Sequence, residues 1–310
     1  MSKEPIDMRD AFFDKLYDIA KNDRDVIFLT ADMGAFSLVR FKKDLEKQYI
    51  NVGVAEQNMV SVAAGLALSG KKVYIYSIVP FVTQRCYEQI KIDLSLMNIP
   101  VTIIGSGPGF SYNSDGPTHH ASQDIANIRT LPNMTILSPS DSEMAKGFAS
   151  LSYKHNGPTY IRLDKGKYPS LYKKKDYSQG FGFIKKGQNL TIITTGIIIH
   201  KVLHVCEELK KNSIEANIID IYRLKPLNKK VLLKILKDSK NIVTVEESSI
   251  VGGLGSIISE LLADNDLQIP LKRIGSPDEY CYLYSNRDCI HTKYGLDATG
   301  ITENILGWIK

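Results

Sequence analysis

The sequence has few cysteines, a single tryptophan and no long run of apolar residues. Its four cysteines are Cys86, Cys206, Cys281 and Cys289. They form neither a CxxC pair nor a zinc-ligand spacing, which argues against a disulfide scaffold or a zinc module and fits a reducing compartment. The longest apolar runs, such as SVAAGLALSG, are too short to cross a bilayer, which takes about 20 residues. The start, MSKEPIDMRDAF, carries charges where a signal peptide needs apolar residues, so we expect a cytoplasmic protein.

A strong excess of one charge is also missing. The 310 residues carry a net charge of +5, and the lysines are scattered rather than interleaved with aromatic residues along one segment. This argues against a nucleic-acid partner. With 43% hydrophobic and 24% charged residues, the composition is that of a globular protein long enough for two domains.

Short β-branched runs alternate with helical patterns along the chain. The strands predicted for the first half are 25–31, 49–53, 72–77, 101–105, 134–139 and 159–163. The pattern resumes with LTIITTG, ANIIDIY, NIVTVEE and PLKRIG, which are separated by helical patterns. Apolar strands alternating with amphipathic helices predict parallel sheets covered on both faces. We therefore predict an α/β fold of two doubly wound domains, residues 1–168 and 188–310, with a linker at 169–187.

The densest functional signal is the segment YINVGVAEQNMVSVAAGLALSG, residues 49–70. A predicted strand ends near Val52 and a helix of small and apolar residues follows, so we expect Glu56 at the start of a buried helix. An acid there can simply complement the helix N-terminus, an effect of a few tenths to about 1 kcal/mol. A carboxyl shielded from water can also share a proton with a ring nitrogen. The residues alone leave both interpretations open.

Four segments carry a resemblance to a known family. They are GVAEQNMVSVAAGLALSG, IYSIVPFVTQRCYEQI, NSDGPTHHASQDIANIRTLPNMTILSPSD and YIRLDKGKYP, in that order. The second half adds IYRLKPLN, IVTVEESSIVGGLGS and GLDATGI. Together they resemble the pyrimidine-binding and C-terminal domains of transketolases and 1-deoxyxylulose-5-phosphate synthases, over nearly the whole chain. The resemblance implies that 1–168 is the pyrimidine-binding domain and 188–310 the C-terminal domain.

The family's cofactor is thiamine diphosphate, and the resemblance implies a catalytic role for Glu56. Its carboxyl would hydrogen-bond to the pyrimidine ring of the cofactor and activate it for transferring a two-carbon ketol unit between sugars. The further cofactor-binding residues that the resemblance implies are Phe81, Gln84, Arg85 and Tyr87. Phe81 and Tyr87 match aromatic residues around the pyrimidine, whereas Arg85 resembles an arginine of the synthases. Without the resemblance, the two aromatic residues would be taken as ordinary core.

The DGPTHH stretch implies substrate contacts. Asp115 and His119 match a pair that contacts substrate hydroxyls and manages protons at the reacting carbons, a task that histidine suits near neutral pH. His120 stands where the family usually has glutamine. The alternative is that DGPT is only a turn.

The residues that hold the sugar phosphate in transketolases are only partly present. Arg9 matches one arginine, but Lys165 replaces the other, a point charge in place of a bidentate fork. Phe36 and Gly107 stand at the positions of a serine and a histidine. We therefore expect a donor or acceptor sugar that is unphosphorylated, modified or nucleotide-linked.

The GDG motif, which binds the cofactor diphosphate through Mg²⁺ in full-length transketolases, does not occur in the sequence. The resemblance therefore implies a separate diphosphate-binding partner chain that holds Mg²⁺, in a heterotetramer of two plus two chains. Three alternatives stay open: a synthase-like subunit that decarboxylates pyruvate, the beta subunit of a 2-oxo-acid dehydrogenase, and a non-catalytic scaffold.

Three other patterns suggest ligands only weakly. The GSGPG stretch at 105–109 follows a strand but precedes no clear helix, so we do not expect a dinucleotide there. The VGGLGS stretch at 251–256 precedes a helix, and we favour a structural role for it over phosphate binding. His200 and His204 have a metal-ligand spacing but no acidic or cysteine partner, so we predict no metal site.

Overall fold

The computed structural model of the chain describes residues 6–172, 176–188 and 190–309. The described residues form two compact units. The first contains residues 6–108 and 127–172, and the second contains residues 109–126 and the chain from Asp176 onward. Residues 109–126, which carry DGPTHH, thus belong by their contacts to the second unit, although they lie within the range expected for the first domain.

The predicted α/β architecture is confirmed. The helices are α1 (Met8–Asn22), α2 (Leu38–Asp44), α3 (Glu56–Leu68), α4 (Val79–Thr83), α5 (Tyr87–Gln89), α6 (Asp124–Arg129), α7 (Ser142–Lys154), α8 (Ile199–Lys211), α9 (Lys229–Leu236), α10 (Leu254–Ala263), α11 (Arg287–Lys293) and α12 (Ala298–Trp308). The strands are β1 (Val26–Thr30), β2 (Tyr49–Asn51), β3 (Lys72–Ile78), β4 (Val101–Ser106), β5 (Thr135–Leu137), β6 (Thr159–Leu163), β7 (Phe181–Lys185), β8 (Leu190–Thr194), β9 (Ala216–Ile221), β10 (Arg223–Lys225), β11 (Ile242–Ser249) and β12 (Leu271–Ser276). A π-helical segment, Ile90–Leu96, follows α5.

The strands of the first unit lie in the order β5-β6-β4-β3-β1-β2 and pair in parallel. Thr30 of β1 is in register with Asn51 of β2 and with Tyr76 of β3. Because parallel strands end at the same edge, the turns after β2 and β3 emerge at one edge of the sheet, on either side of β1. These are the turns that lead to Glu56 and to Phe81.

The core of the first unit is rich in aromatic residues. Phe13 of α1 meets Tyr76 edge-on with ring centroids 4.8 Å apart, and Phe28 of β1 packs between Phe13 and Phe41 at 5.6 Å from each. Such edge-on and tilted pairs add to the free energy of burying the rings. The buried rings fix β1 and β3, whose ends carry the site.

The strands of the second unit lie in the order β12-β11-β8-β9-β7, and all neighbours are parallel except β7 and β9. Strand β7, Phe181–Lys185, lies inside the segment expected to be a linker. It is a short edge strand, and only Phe181 among its residues is fully buried, so its apolar pattern is weak. Among the described residues, no helix is long and apolar enough to cross a membrane.

Candidate functional site

Glu56 lies where a strand turns into a helix at the carboxyl edge of the first sheet. After β2, the Asn51 carboxamide oxygen accepts from the backbone N–H groups of Asp32 and Gly53, both at 3.0 Å. Gly53 has φ +72°, a conformation that favours glycine. Helix α3 then begins at Glu56 itself, as the sequence predicts.

The Glu56 side chain is 3% exposed and makes two polar contacts. Arg85 Nη1 donates to its Oε2 at 2.9 Å, and the Ser77 hydroxyl donates to its Oε1 at 3.4 Å. A buried charge needs such partners, because burial removes its hydration. Sequence reasoning missed Ser77. Ser77 is the last residue of the buried run in β3. A polar residue at the carboxyl end of a buried strand is the sequence signal by which it could have been found.

Arg85 joins Glu56 to Phe81. The Arg85 guanidinium carbon lies 4.2 Å from the centroid of the Phe81 ring, while its Nη1 reaches Glu56. The structure therefore brings together three residues predicted for the cofactor: Glu56, Phe81 and Arg85. A shielded carboxylate linked through an arginine to an aromatic ring fits the flat, hydrogen-bonding aminopyrimidine of thiamine.

The other two residues predicted for the cofactor lie on the same stretch. Gln84 is exposed, next to Arg85. Tyr87, at the start of α5, is half-buried, and its hydroxyl lies 2.8 Å from the Thr130 hydroxyl. The two side chains described above as hydrogen-bonded to Glu56 are those of Arg85 and Ser77, so neither Gln84 nor Tyr87 is one of them.

The helix that follows Glu56 differs from the expectation in one respect. Helix α3 buries Met59, Val60 and Ala63 on one face, but Val62 and Leu68 are exposed. The composition of this segment, small and apolar residues, predicted a buried helix. Its second face is open in this chain.

The four positions compared with the phosphate-binding residues of transketolases all lie in the first unit and differ in exposure and contacts. The Arg9 guanidinium donates through Nε to Asp7 Oδ1 at 3.2 Å, and Lys165 is half-buried. Phe36 is 86% exposed, and the Gly107 N–H donates to the Leu163 carbonyl at 2.8 Å. Arg9 is therefore already paired with a carboxylate of its own helix cap.

The DGPTHH residues lie in the second unit. Asp115 is exposed and His119 is half-buried, with its Nδ1 3.0 Å from the Thr118 hydroxyl. His120 is buried, and its ring meets Phe110 edge-on at 5.1 Å. Burial lowers the pKa of His120, which keeps its imidazole neutral at pH 7. His120 is thus part of the packing of the loop, and its expected contact with substrate stays a prediction.

The glycine-rich turn before α10 is occupied by a side chain of the protein itself. Glu246 accepts from the N–H groups of Leu254 and Gly255, both at 2.7 Å. A carboxylate there complements the N-terminus of α10, so this geometry supports the structural role favoured for VGGLGS. Across the described part of the chain, no cluster of three His, Cys, Asp or Glu side chains could hold a metal ion.

Two matches to family models define the class of protein. The model of the transketolase pyrimidine-binding domain matches residues 4–170, and that of the transketolase C-terminal domain matches residues 182–301. These matches agree with the two-sheet α/β architecture. The chain belongs to the transketolase family.

Two relatives within the family are themselves single subunits of transketolases. The chain is 34% identical to an apulose-4-phosphate transketolase subunit of Phocaeicola vulgatus, and the match covers 100% of both chains. It is 33% identical to a 6-deoxy-6-sulfo-D-fructose transketolase subunit of Clostridium sp. strain MSTE9, over 95% of this chain and 92% of that one. A solved structure described as a split gene transketolase in an inactive beta4 tetramer is similar with a TM-score of 0.88. Its sequence is 29% identical, and the match covers 97% of this chain and 98% of that one.

Proposed function

We propose that this chain is the pyrimidine-binding subunit of a split thiamine-diphosphate enzyme that transfers a two-carbon ketol unit between sugars. The observation that carries the proposal is the Glu56 carboxylate, shielded from water and linked through Arg85 to Phe81 at the carboxyl edge of a parallel sheet. Bound thiamine diphosphate supplies the electron sink for breaking and making the bond next to a ketose carbonyl. Glu56 holds a proton at the pyrimidine nitrogen, and Phe81 orients the ring.

We propose that Asp115 and His119 contact the sugar hydroxyls. Both side chains are accessible, and an imidazole can pass a proton to or from a carbonyl oxygen as the carbon–carbon bond changes. His120 of the same loop is buried against Phe110, and we keep its contact with substrate as a prediction. Arg9 and Lys165 are proposed substrate contacts of the first unit.

A partner subunit is supported by an apolar surface that begins at the site. The Ser61 hydroxyl donates to Asp93 at 2.6 Å, which joins α3 to the π-helical segment. Exposed apolar residues on these two elements and their ends form what we call the open face: Val54, Val62, Leu68, Ile92, Leu96 and Met97. Exposed apolar patches of this kind mark interaction sites. We propose that a diphosphate-binding subunit, which holds Mg²⁺, covers the open face in a heterotetramer of two plus two chains.

The test of the proposal is a reconstituted pair of subunits assayed with a ketose donor and an aldehyde acceptor. Glu56→Gln should lower the rate of ketol transfer by at least about 100-fold, since it removes a positioned proton carrier. The mass of the complex should stay unchanged. Glu88→Gln, which alters an exposed acid close to Arg85 in sequence, is the matched control and should keep full activity. Full activity of Glu56→Gln would remove the mechanism.

The choice of sugar is a separate proposal. Phosphate binding by the first unit should be weak, because Phe36 and Gly107 have no polar side chain to offer and Arg9 is already paired with Asp7. We therefore propose a modified or unphosphorylated substrate on at least one side of the reaction. The name of one relative, a 6-deoxy-6-sulfo-D-fructose transketolase subunit, supports a modified sugar, whereas the other relative is named for a phosphorylated sugar, apulose-4-phosphate. Normal turnover of xylulose 5-phosphate by the reconstituted pair would contradict it.

A synthase-like decarboxylation of pyruvate is the second candidate. The contact between Arg85 and Glu56 favours it, because an arginine in this stretch resembles the synthases. Release of carbon dioxide from pyruvate by the reconstituted pair, without a ketose donor, would support this candidate over ketol transfer.

A further inference from the structure

The loop that carries Asp115 and His119 starts on a buried carboxylate of the second unit. Glu247, near the end of β11, accepts from the N–H of Phe110 at 3.1 Å through Oε1. Gly109 has φ +61°, and a Cβ added there would lie 2.6 Å from the Glu247 carboxyl carbon. Glycine is therefore needed for the backbone to come this close to the carboxylate.

Helix α11 neutralises the Glu247 carboxylate. Arg287 donates through Nε to Oε1 at 2.7 Å and through Nη2 to Oε2, a bidentate fork. His291 lies one turn further along α11, and its Nε2 is 2.8 Å from Oε1. Burial raises the pKa of Glu247, but the charge of Arg287 and the contact with His291 outweigh it and hold the pKa far below its usual range.

The orientation of His291 is fixed from its other side. Its Nδ1 lies 2.5 Å from Lys201 Nζ of α8, and an ammonium group can only donate. Nδ1 therefore accepts, and Nε2 carries the hydrogen that points to Glu247. The side chains of Glu247, Arg287, His291 and Lys201 form one connected network around the start of the loop.

The rest of the loop is held by neighbouring residues of the same unit. The Ser249 N–H donates to the Ser122 carbonyl at 2.8 Å, near the end of the loop. The Asn113 carboxamide donates to the Ser285 carbonyl at 2.5 Å. A Cβ at Gly116, within DGPTHH, would lie 2.9 Å from the Tyr284 ring. Segments 247–249 and 284–285 thus contact the loop at its start, middle and end.

We propose that Glu247 is a positioning residue, whose carboxylate fixes the start of the loop and thereby places Asp115 and His119 for the substrate. The inference rests on the proposed function, because it concerns the loop assigned there to substrate contact. It gives the C-terminal domain a part in the reaction besides its own stability.

The adjacent residue provides a matched control. Glu246 is also buried on β11, but its carboxylate caps α10 through the N–H groups of Leu254 and Gly255. Glu247→Gln and Glu246→Gln thus each remove one charge from the same strand. A role in general stability predicts similar effects of the two changes, whereas a role in positioning predicts different ones.

Hydrogen exchange of the full chain without its partner is the first measurement. In Glu247→Gln, peptides covering residues 109–121 should exchange at least about tenfold faster, because the Phe110 amide loses its charged acceptor. In Glu246→Gln, the start of α10 should exchange faster and the loop should not. Equal acceleration of the loop in both variants, or none in Glu247→Gln, would overturn the proposal.

The reconstituted enzyme provides the second measurement. Glu247→Gln should lower kcat/KM for the sugar by at least about tenfold without changing the affinity for thiamine diphosphate, whereas Glu246→Gln should keep both. Arg287→Lys keeps the positive charge without the fork and should give an intermediate loss, and it serves as the test if Glu247→Gln does not fold. If residues 109–121 exchanged faster in Glu247→Gln but kcat/KM for the sugar were unchanged, the positioning role would be overturned. An inactive wild-type pair would instead contradict the proposed function, and the exchange result would still decide whether Glu247 fixes the loop.

Discussion

The ion pair between Arg85 and Glu56 leads to a quantitative prediction about stability. The Arg85 side chain is 43% exposed and that of Glu56 is 3% exposed. Arg85→Met keeps the length of the side chain and removes its charge, after which the Ser77 hydroxyl at 3.4 Å is the remaining partner of Glu56 among the described residues. Breaking a fully buried pair costs about 3–5 kcal/mol, and exposed pairs contribute about 0.2–1 kcal/mol. With only one partner buried, we expect the first unit to lose about 2 kcal/mol.

The chain offers a closely matched control in Arg40. Its Nη2 lies 2.9 Å from Asp14, and its guanidinium carbon lies 4.0 Å from the centroid of the Tyr17 ring. The Arg40 side chain is 46% exposed and the Asp14 side chain is 42% exposed, so neither partner of this pair is buried. The two arginines therefore share pair distance, aromatic neighbour and exposure, and differ in the burial of the carboxylate. Arg40→Met should cost less than about 1 kcal/mol.

The measurement is a double-mutant cycle on the full chain. The single tryptophan, Trp308, lies in α12 of the second unit, so the first unit is followed by hydrogen exchange of peptides from β1 to β3 in a urea series. The coupling of Arg85→Met with Glu56→Gln should be about 1–2 kcal/mol, and that of Arg40→Met with Asp14→Asn below about 0.5 kcal/mol. Equal couplings would refute the reasoning that burial of the carboxylate sets the cost.

Three further predictions concern other parts of the chain. Burial raises the pKa of Cys86 to about 12, so its thiol stays protonated at pH 8, whereas Cys289 is exposed. Ellman's reagent should label Cys289 fast and Cys86 only after unfolding, and Cys289→Ser should remove the fast phase. The two hydrogens of the Gln48 Nε2 group are shared among three backbone carbonyls at 2.9–3.0 Å, so Gln48→Met should destabilise the first unit by about 2–3 kcal/mol in the same urea series. A loss below half of that value would contradict the assignment of these bonds. Gly109→Ala places a Cβ against a buried carboxylate and should lower the melting temperature reported by tryptophan fluorescence, whereas Gly307→Ala, in open space on α12, should not.

The strands and the turn before α3 could be predicted because their signals are local. The apolar runs of β1, β3 and β4 and the start of α3 follow from residues adjacent in sequence. The contact between Arg85 and Glu56 spans 29 residues, and the attachment of Phe110 to Glu247 spans 137, so no local pattern reveals them. The open face of α3 shows a further limit. An apolar residue such as Val62 has the same pattern whether it meets its own core or another protein chain.

The adjacent acids of β11 have a consequence for how this protein can change. The pairing of β11 with β12 shifts register between Val245 and Ser249, and the two adjacent acids of that stretch have separate partners: Glu246 caps α10, while Glu247 holds the loop. Inserting or deleting one residue within β11 ahead of these acids would move both carboxylates away from their partners, so the helix and the loop would lose their acid at once. We therefore expect length variation among natural relatives to be absent from this strand and to fall in the turns on either side of it.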